Sequence, residues 1–305
     1  MVLAVRFLLI LFLAGAASAQ RRPVILDTDI GDAVDDALAV ALAVKSPELD
    51  IRGITTVIDD VEAKTRFAWK QLGLYNRRDI PLVMGMADPL IDARVQTRSR
   101  QYELLTSSDT IPDAGRRNAV LFLIETLQKS ADRVTIVALG PLTNVALALK
   151  TEPRIKGKIE RLVVMGGSYL KPESEYNIQR DRAAAQIVFA SGVSITAVGL
   201  DVTRDLRMRE DDLAEFRLAD DPAGRFILRA IELARMEHGG ENPILFDPLA
   251  VAAVIRPDLI ESRAGTVTVQ DSVTRFQEGS GNVQVAVRAK AGEFLDFFTR
   301  RVTGR

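Results

Sequence analysis

Short, wholly apolar runs alternate with stretches of helical periodicity along almost the whole chain. The first run, at 24–26, leads through a turn at Gly31 into an apolar helix beginning near Asp35. A strand pattern at 51–57 is followed by a helical one at 62–74 and a short strand at 81–84. Residues 87–115 are polar and without periodicity, which reads as a long surface excursion able to serve as a substrate lid. Beyond it the pattern predicts helix 117–129, strand 134–139, helix 140–149, strand 161–165, a polar loop at 168–177, helix 182–190 and strand 194–198. Helices at 210–218, 224–237 and 248–255 come next, then strands at 264–269 and 282–287 and a closing helix at 291–301. This alternation predicts an α/β fold, with a mostly parallel, doubly wound central sheet flanked by helices. No repeat or composition break divides residues 20–305, so they are read as one domain.

In such sheets ligands bind beyond the carboxyl ends of the strands, so polar residues that end strands are the candidates for chemistry. They are Asp27 and Asp29, Asp59 and Asp60, the Leu139-Gly140 turn, the loop after Met165, and Asp201. Five aspartates, Asp27, Asp29, Asp32, Asp35 and Asp36, fall within ten residues, and no Lys or Arg occurs between Arg22 and Lys45. Like charges held a few ångströms apart repel by roughly 4 kcal/mol per pair at an effective dielectric near 20. A helix N-terminus offsets only about 0.3–1 kcal/mol of this. Protons, hydrogen-bond donors or a cation must supply the rest, and a hard divalent cation suits an all-oxygen set, calcium with more ligands than magnesium.

Composition narrows the function without changing the fold. The chain has 305 residues, 47% of them hydrophobic and 27% charged, enough for a substantial core. Its formal charge is -1 with no basic block, which argues against a nucleic-acid partner. The absence of cysteine excludes a thiol nucleophile, a thiolate metal site and disulfides. At the N-terminus Arg6 precedes an apolar run at 7–17 and the small-residue pattern Ala17-Ser18-Ala19, the form of a secretory signal peptide over residues 1–19. The run is too short to span a bilayer, so the expectation is an exported protein, periplasmic or secreted, with no membrane association after cleavage.

Taken with these strand ends, the sequence resembles the inosine-uridine-preferring nucleoside hydrolases. The resemblance rests on Asp27-Thr28-Asp29-Ile30-Gly31 with Asp35-Asp36-Ala37-Leu38-Ala39, and on the run from Ala138 through Leu139-Gly140-Pro141-Leu142-Thr143 to Asn144. Val164-Met165-Gly166-Gly167, Glu175-Tyr176-Asn177 and Phe246-Asp247-Pro248-Leu249-Ala250 continue it in order. It implies calcium-dependent hydrolysis of the N-glycosidic bond of a small ribonucleoside. Asp29, Asp36, Asp247 and the Leu139 carbonyl would hold the metal, with Asp29 also the general base. Asp35, Glu175 and Asn177 would hold the ribose hydroxyls, and Met165 would pack on the sugar. Such roles are chemically coherent, since calcium lowers the pKa of a bound water and carboxylates support a ribosyl group of oxocarbenium character. A homo-oligomer is compatible with this reading.

The chain departs from the family pattern in places that bear on the base. Two extra residues separate Gly31 from Asp35-Asp36, which lets Asp32 exchange roles with Asp35. Phe246 stands where many members carry a histidine able to protonate a purine. The common His-Gly motif is missing from 87–115, and the asparagine often found before Glu175 has no counterpart. The one histidine, His238, is expected at a solvent-facing helix end, and Trp69 is expected in the core. Two other readings compete: an exported calcium-dependent riboside-binding protein without hydrolysis, and a haloacid-dehalogenase-like phosphatase using Asp27-Thr28-Asp29.

Overall fold

Val24, Ile25 and Leu26 are fully buried, as a continuous apolar run in a central parallel strand should be. The computed structural model describes residues 21–91 and 99–305. The expected signal peptide, 1–19, and the 92–98 part of the polar excursion lie outside the described residues.

The chain forms strands β1 (Arg22–Thr28), β2 (Leu49–Thr56), β3 (Leu82–Val83), β4 (Val134–Ala138), β5 (Ile159–Met165), β6 (Ile195–Val198), β7 (Ile260–Gln270), β8 (Val273–Glu278) and β9 (Val283–Ala289). Its helices are α1 (Val34–Val44), α2 (Val61–Leu74), α3 (Ala119–Lys129), α4 (Thr143–Thr151), α5 (Tyr176–Arg180), α6 (Arg182–Phe189), α7 (Leu200–Thr203), α8 (Glu210–Arg217), α9 (Pro222–Glu237), α10 (Phe246–Ile255) and α11 (Ala291–Thr303). The sheet order is β3-β2-β1-β4-β5-β6-β9-β7-β8. From β3 to β9 neighbouring strands run parallel, and β7 pairs antiparallel with both β9 and β8.

Strand order reverses between β1 and β4, the switch point at which a doubly wound sheet opens a crevice. One face of the sheet is covered by α1, α2, α9, α10 and α11, the other by α3, α4 and α6. Beyond their acidic first turns, helices α1 and α10 are apolar on every side because both are buried, and they pack together. Among the described residues no helix is long and apolar enough to cross a membrane.

The structure differs from the sequence expectation at several places, the short helices α5 and α7 among them. Strand β8 was not expected; it turns back from β7 through Asp271 and Ser272, whose φ angles are 49° and 63°. Positive φ at both central residues is what a two-residue hairpin turn needs, but Asp-Ser announces it more weakly than Asn-Gly. The described parts of the polar excursion are pinned to the body: buried Gln101 donates to the Ala230 carbonyl at 3.0 Å, and Arg66 and Lys70 of α2 bond to residues 104–109. Trp69 is half-buried at the core's margin under Arg78, whose guanidinium lies 5.2 Å from the ring centre.

Candidate active site

The strand ends at the switch point carry the acidic cluster. Asp29 follows β1 directly and Leu139 follows β4, with the Leu139 amide donating to the Asp27 carbonyl at 2.7 Å. Gly140 is required by this approach: a Cβ there would lie 2.8 Å from Asp29 Oδ1. Helices α1 and α10 bring their first turns to the same place, α1 with Asp35 and Asp36, α10 with Asp247. Asp35 accepts the Asp247 amide at 3.4 Å, and Thr28 donates its hydroxyl to Asp36.

All eight residues singled out by resemblance line one cavity of about 460 Å³: Asp29, Asp35, Asp36, Leu139, Met165, Glu175, Asn177 and Asp247. Asp32, Tyr176, Phe246 and His238 share the wall. His238 is exposed and caps the C-terminus of α9, the helix-end place expected of it, yet it also faces the cavity.

Burial sets the electrostatics. It raises Asp35 to about 8, with the charge of Asp36 adding to the effect. Asp36 itself is raised to about 6 by burial, against the Thr28 hydrogen bond and the charge of Lys64. Asp29 and Asp247 are pushed well above the ordinary carboxylate range, first by burial and then by Asp36. Asp27, raised by burial to about 6, accepts from Thr55 at 2.5 Å and from Asn144 at 2.8 Å, so it braces the strand end.

A cation fits this chemistry. Asp35, Asp36 and Asp247 each offer one oxygen within 4.8 Å of the others, all three buried. That tightest group shares Asp36 and Asp247 with the expected ligand set but contains Asp35 where Asp29 was expected. Asp29 remains on the same cavity wall.

Three features of the site were not foreseen. Lys64 reaches the cluster from α2, fully buried, and pairs with Asp32 at 2.6 Å, so one positive charge does neutralise part of it. Asp32 is thus engaged with Lys64, while Asp35 faces Asp36 and Asp247. Glu175 is committed to backbone, accepting from the amides of Gly167, Asn177 and Ile178 at 2.9, 3.0 and 3.1 Å as the N-cap of α5. The Asn177 side-chain Nδ2 donates to the Leu139 carbonyl at 2.6 Å and to that of Met165 at 3.2 Å. A lysine in an amphipathic helix ordinarily reads as surface, and only the unbalanced aspartates signalled that a partner must exist.

An acidic pocket of buried carboxylates at the switch point of a doubly wound sheet is a place where metal-assisted hydrolysis can be housed. Comparison with known proteins is specific. Residues 24–296 match the family model described as inosine-uridine preferring nucleoside hydrolase, and the chain belongs to that family. The pyrimidine-specific ribonucleoside hydrolase RihA of Escherichia coli is 34% identical over 255 residues, covering 79% of this chain and 81% of the relative. Uridine nucleosidase 1 of Arabidopsis thaliana is 33% identical over 272 residues, covering 84% and 80%. Among solved structures, the purine-preferring ribonucleoside hydrolase from Gardnerella vaginalis superposes with a TM-score of 0.83 at 27% identity, over 93% of this chain and 98% of that one. The protein is a nucleoside hydrolase, and the phosphatase reading is set aside.

Proposed function

We propose that this nucleoside hydrolase depends on calcium and that its cavity binds a ribonucleoside with the sugar against the acidic floor. The observation that carries the reading is the convergence of four buried aspartates, Asp29, Asp35, Asp36 and Asp247, with Leu139 on one cavity. Asp36, Asp247, the Leu139 carbonyl and Asp29 or Asp35 are the oxygens that would hold the ion. When bound, calcium would lower the pKa of a water and orient it. Asp29, buried on the cavity wall, would serve as the general base that accepts a proton from the attacking water. Asp35 and Asn177 hold ribose hydroxyls, Glu175 fixes the Gly167 to Ile178 backbone around them, and Met165 packs on the sugar. Attack of the water on the anomeric carbon would break the bond to the base, whose electron pair leaves with the base; the base takes up a proton from solvent and Asp29 returns its proton to solvent, giving ribose and free base.

The names of the two curated relatives make uridine the first substrate to try. The leader at 1–19 supports export, which the mass of the mature protein, beginning at Gln20, would test. Reducing-sugar release from uridine, cytidine and inosine tests the activity. Release by the wild type, lost in Asp29→Asn, supports the reading; ligand-induced stabilisation without release would instead reveal a riboside-binding protein.

A further inference from the structure

We propose that Lys64 is a positioning residue for the metal-binding turn, its buried ammonium fixing Asp29 by clamping both ends of the turn from residue 29 to residue 32. The proposal rests on the calcium reading given above.

The clamp is a closed set of contacts. Lys64 Nζ donates to the Asp29 main-chain oxygen at 3.0 Å and pairs with Asp32 Oδ2 at 2.6 Å. The Asp32 amide returns to the same Asp29 oxygen at 3.3 Å, which closes the ring. Because Nζ holds the main chain of Asp29, it sets the orientation of that peptide and hence where the Asp29 carboxylate points. The lysine side chain is fully buried and that of Asp32 is 9% exposed, so neither charge has water as an alternative partner.

Elsewhere in the turn the Ile30 amide donates to the Thr28 hydroxyl at 3.1 Å, which fixes the start of the turn and leaves the Asp29 carbonyl to Lys64 and the Asp32 amide. Gly31 has a φ of 101°, a conformation that permits the turn without enforcing it. Ala33, the N-cap of α1, has no side-chain bond to the helix. The two extra residues of this turn leave it longer than the shortest family pattern, and Asp32 lies among the inserted stretch. Lys64 is itself well anchored, in the first turns of α2 after the Asp60 cap and beside the buried Thr56–Thr65 hydroxyl contact of 2.8 Å. A rigid helix therefore carries the donor, as precise placement requires.

The test separates position from charge. The double variant Lys64→Met/Asp32→Asn removes one charge of each sign, so the net charge of the site is unchanged. Calcium affinity of the chelated protein is measured by calorimetry with calcium alone, together with kcat and KM on uridine. The variant is expected to unfold cooperatively, to bind calcium about tenfold or more weakly, and to lose kcat with KM little changed. Calcium binding and kcat within about twofold of wild type, even with a lowered melting temperature, overturn the proposal and leave the pair a purely structural one. A variant unfolded with and without calcium overturns it as well, because the pair would then hold the fold and not the turn. A wild type that binds no calcium sinks the calcium reading and this inference with it.

A chemical rescue adds a second check, since the chain has no cysteine. Lys64→Cys, alkylated with 2-bromoethylamine in denaturant and refolded, regains a lysine-like ammonium and should recover calcium affinity. Wild type carried through the same cycle is the control. No recovery in a protein that refolds as the control does would overturn the proposal.

Discussion

A methyl group added at residue 140 would meet Asp29 Oδ1 at 2.8 Å and the Asp29 amide nitrogen at 2.9 Å, both closer than real Cβ atoms come. Gly140→Ala must therefore push Asp29 away from Leu139, and displacement of a catalytic group by about 1 Å can cost around 10²-fold in rate. We expect kcat/KM to fall by about that factor while circular dichroism reports an intact fold. Activation of the leaving base depends on other residues. Phe246 and His238 both line the cavity; the Phe246 ring has no proton to give, and His238 is exposed. General-acid help is worth about 10²–10⁴, so substrates that need none should be favoured: nitrophenyl riboside should be cleaved much faster than inosine. His238→Ala should change inosine turnover by less than about tenfold, and a larger loss confined to inosine would make His238 the acid.

Between elements, Asn144 at the start of α4 is the main tie. Its amide bonds Asp27 Oδ1 at 2.8 Å, the Thr56 carbonyl at 2.9 Å and the Met86 amide at 2.9 Å, joining the ends of β1 and β2 to the segment after β3. Asn144→Ala orphans several buried groups, each costing about 1–3 kcal/mol, so urea denaturation should show a loss of about 3 kcal/mol. The elements themselves were largely legible in the sequence. Runs such as 24–26 and 134–138 are buried on both faces, and continuous hydrophobicity announces that directly. Strand β8 was hidden because its burial is partial and its turn is made by Asp271-Ser272. In the cavity, Asp29, Asp35 and Asp36 stood out because unbalanced charge is visible in one dimension, whereas Asp247, Glu175 and Asn177 were pointed to only by the family resemblance. Lys64 was not legible, because its burial is decided by where α2 lands on the sheet. Nor was the Glu175 cap, which depends on the backbone path from Gly167 to Ile178.

For the whole molecule, the acidic cavity makes stability depend on pH and on metal together. In the metal-free fold burial holds Asp36 at about 6 and Asp35 at about 8, against an ordinary value of 3.8. Between 3.8 and about 8 the folded protein therefore keeps protons that the unfolded chain has released. Stability falls as pH rises through that window, since the folded state binds more protons there. The chelated protein should accordingly melt at a lower temperature at about pH 8.5 than at about pH 5. Saturating calcium should remove most of this dependence, because the ion replaces the protons and stabilises the fold by mass action. A chelated protein whose melting temperature rises over the same range would contradict the assignment of buried, metal-seeking carboxylates.

The most direct test of the central claim is uridine hydrolysis followed by reducing-sugar release through one cycle of metal removal and return. The account predicts that the purified protein releases ribose, that chelation abolishes release, and that calcium restores it with elemental analysis showing about one ion per chain. Full activity in a chelated protein shown to be free of metal would contradict it.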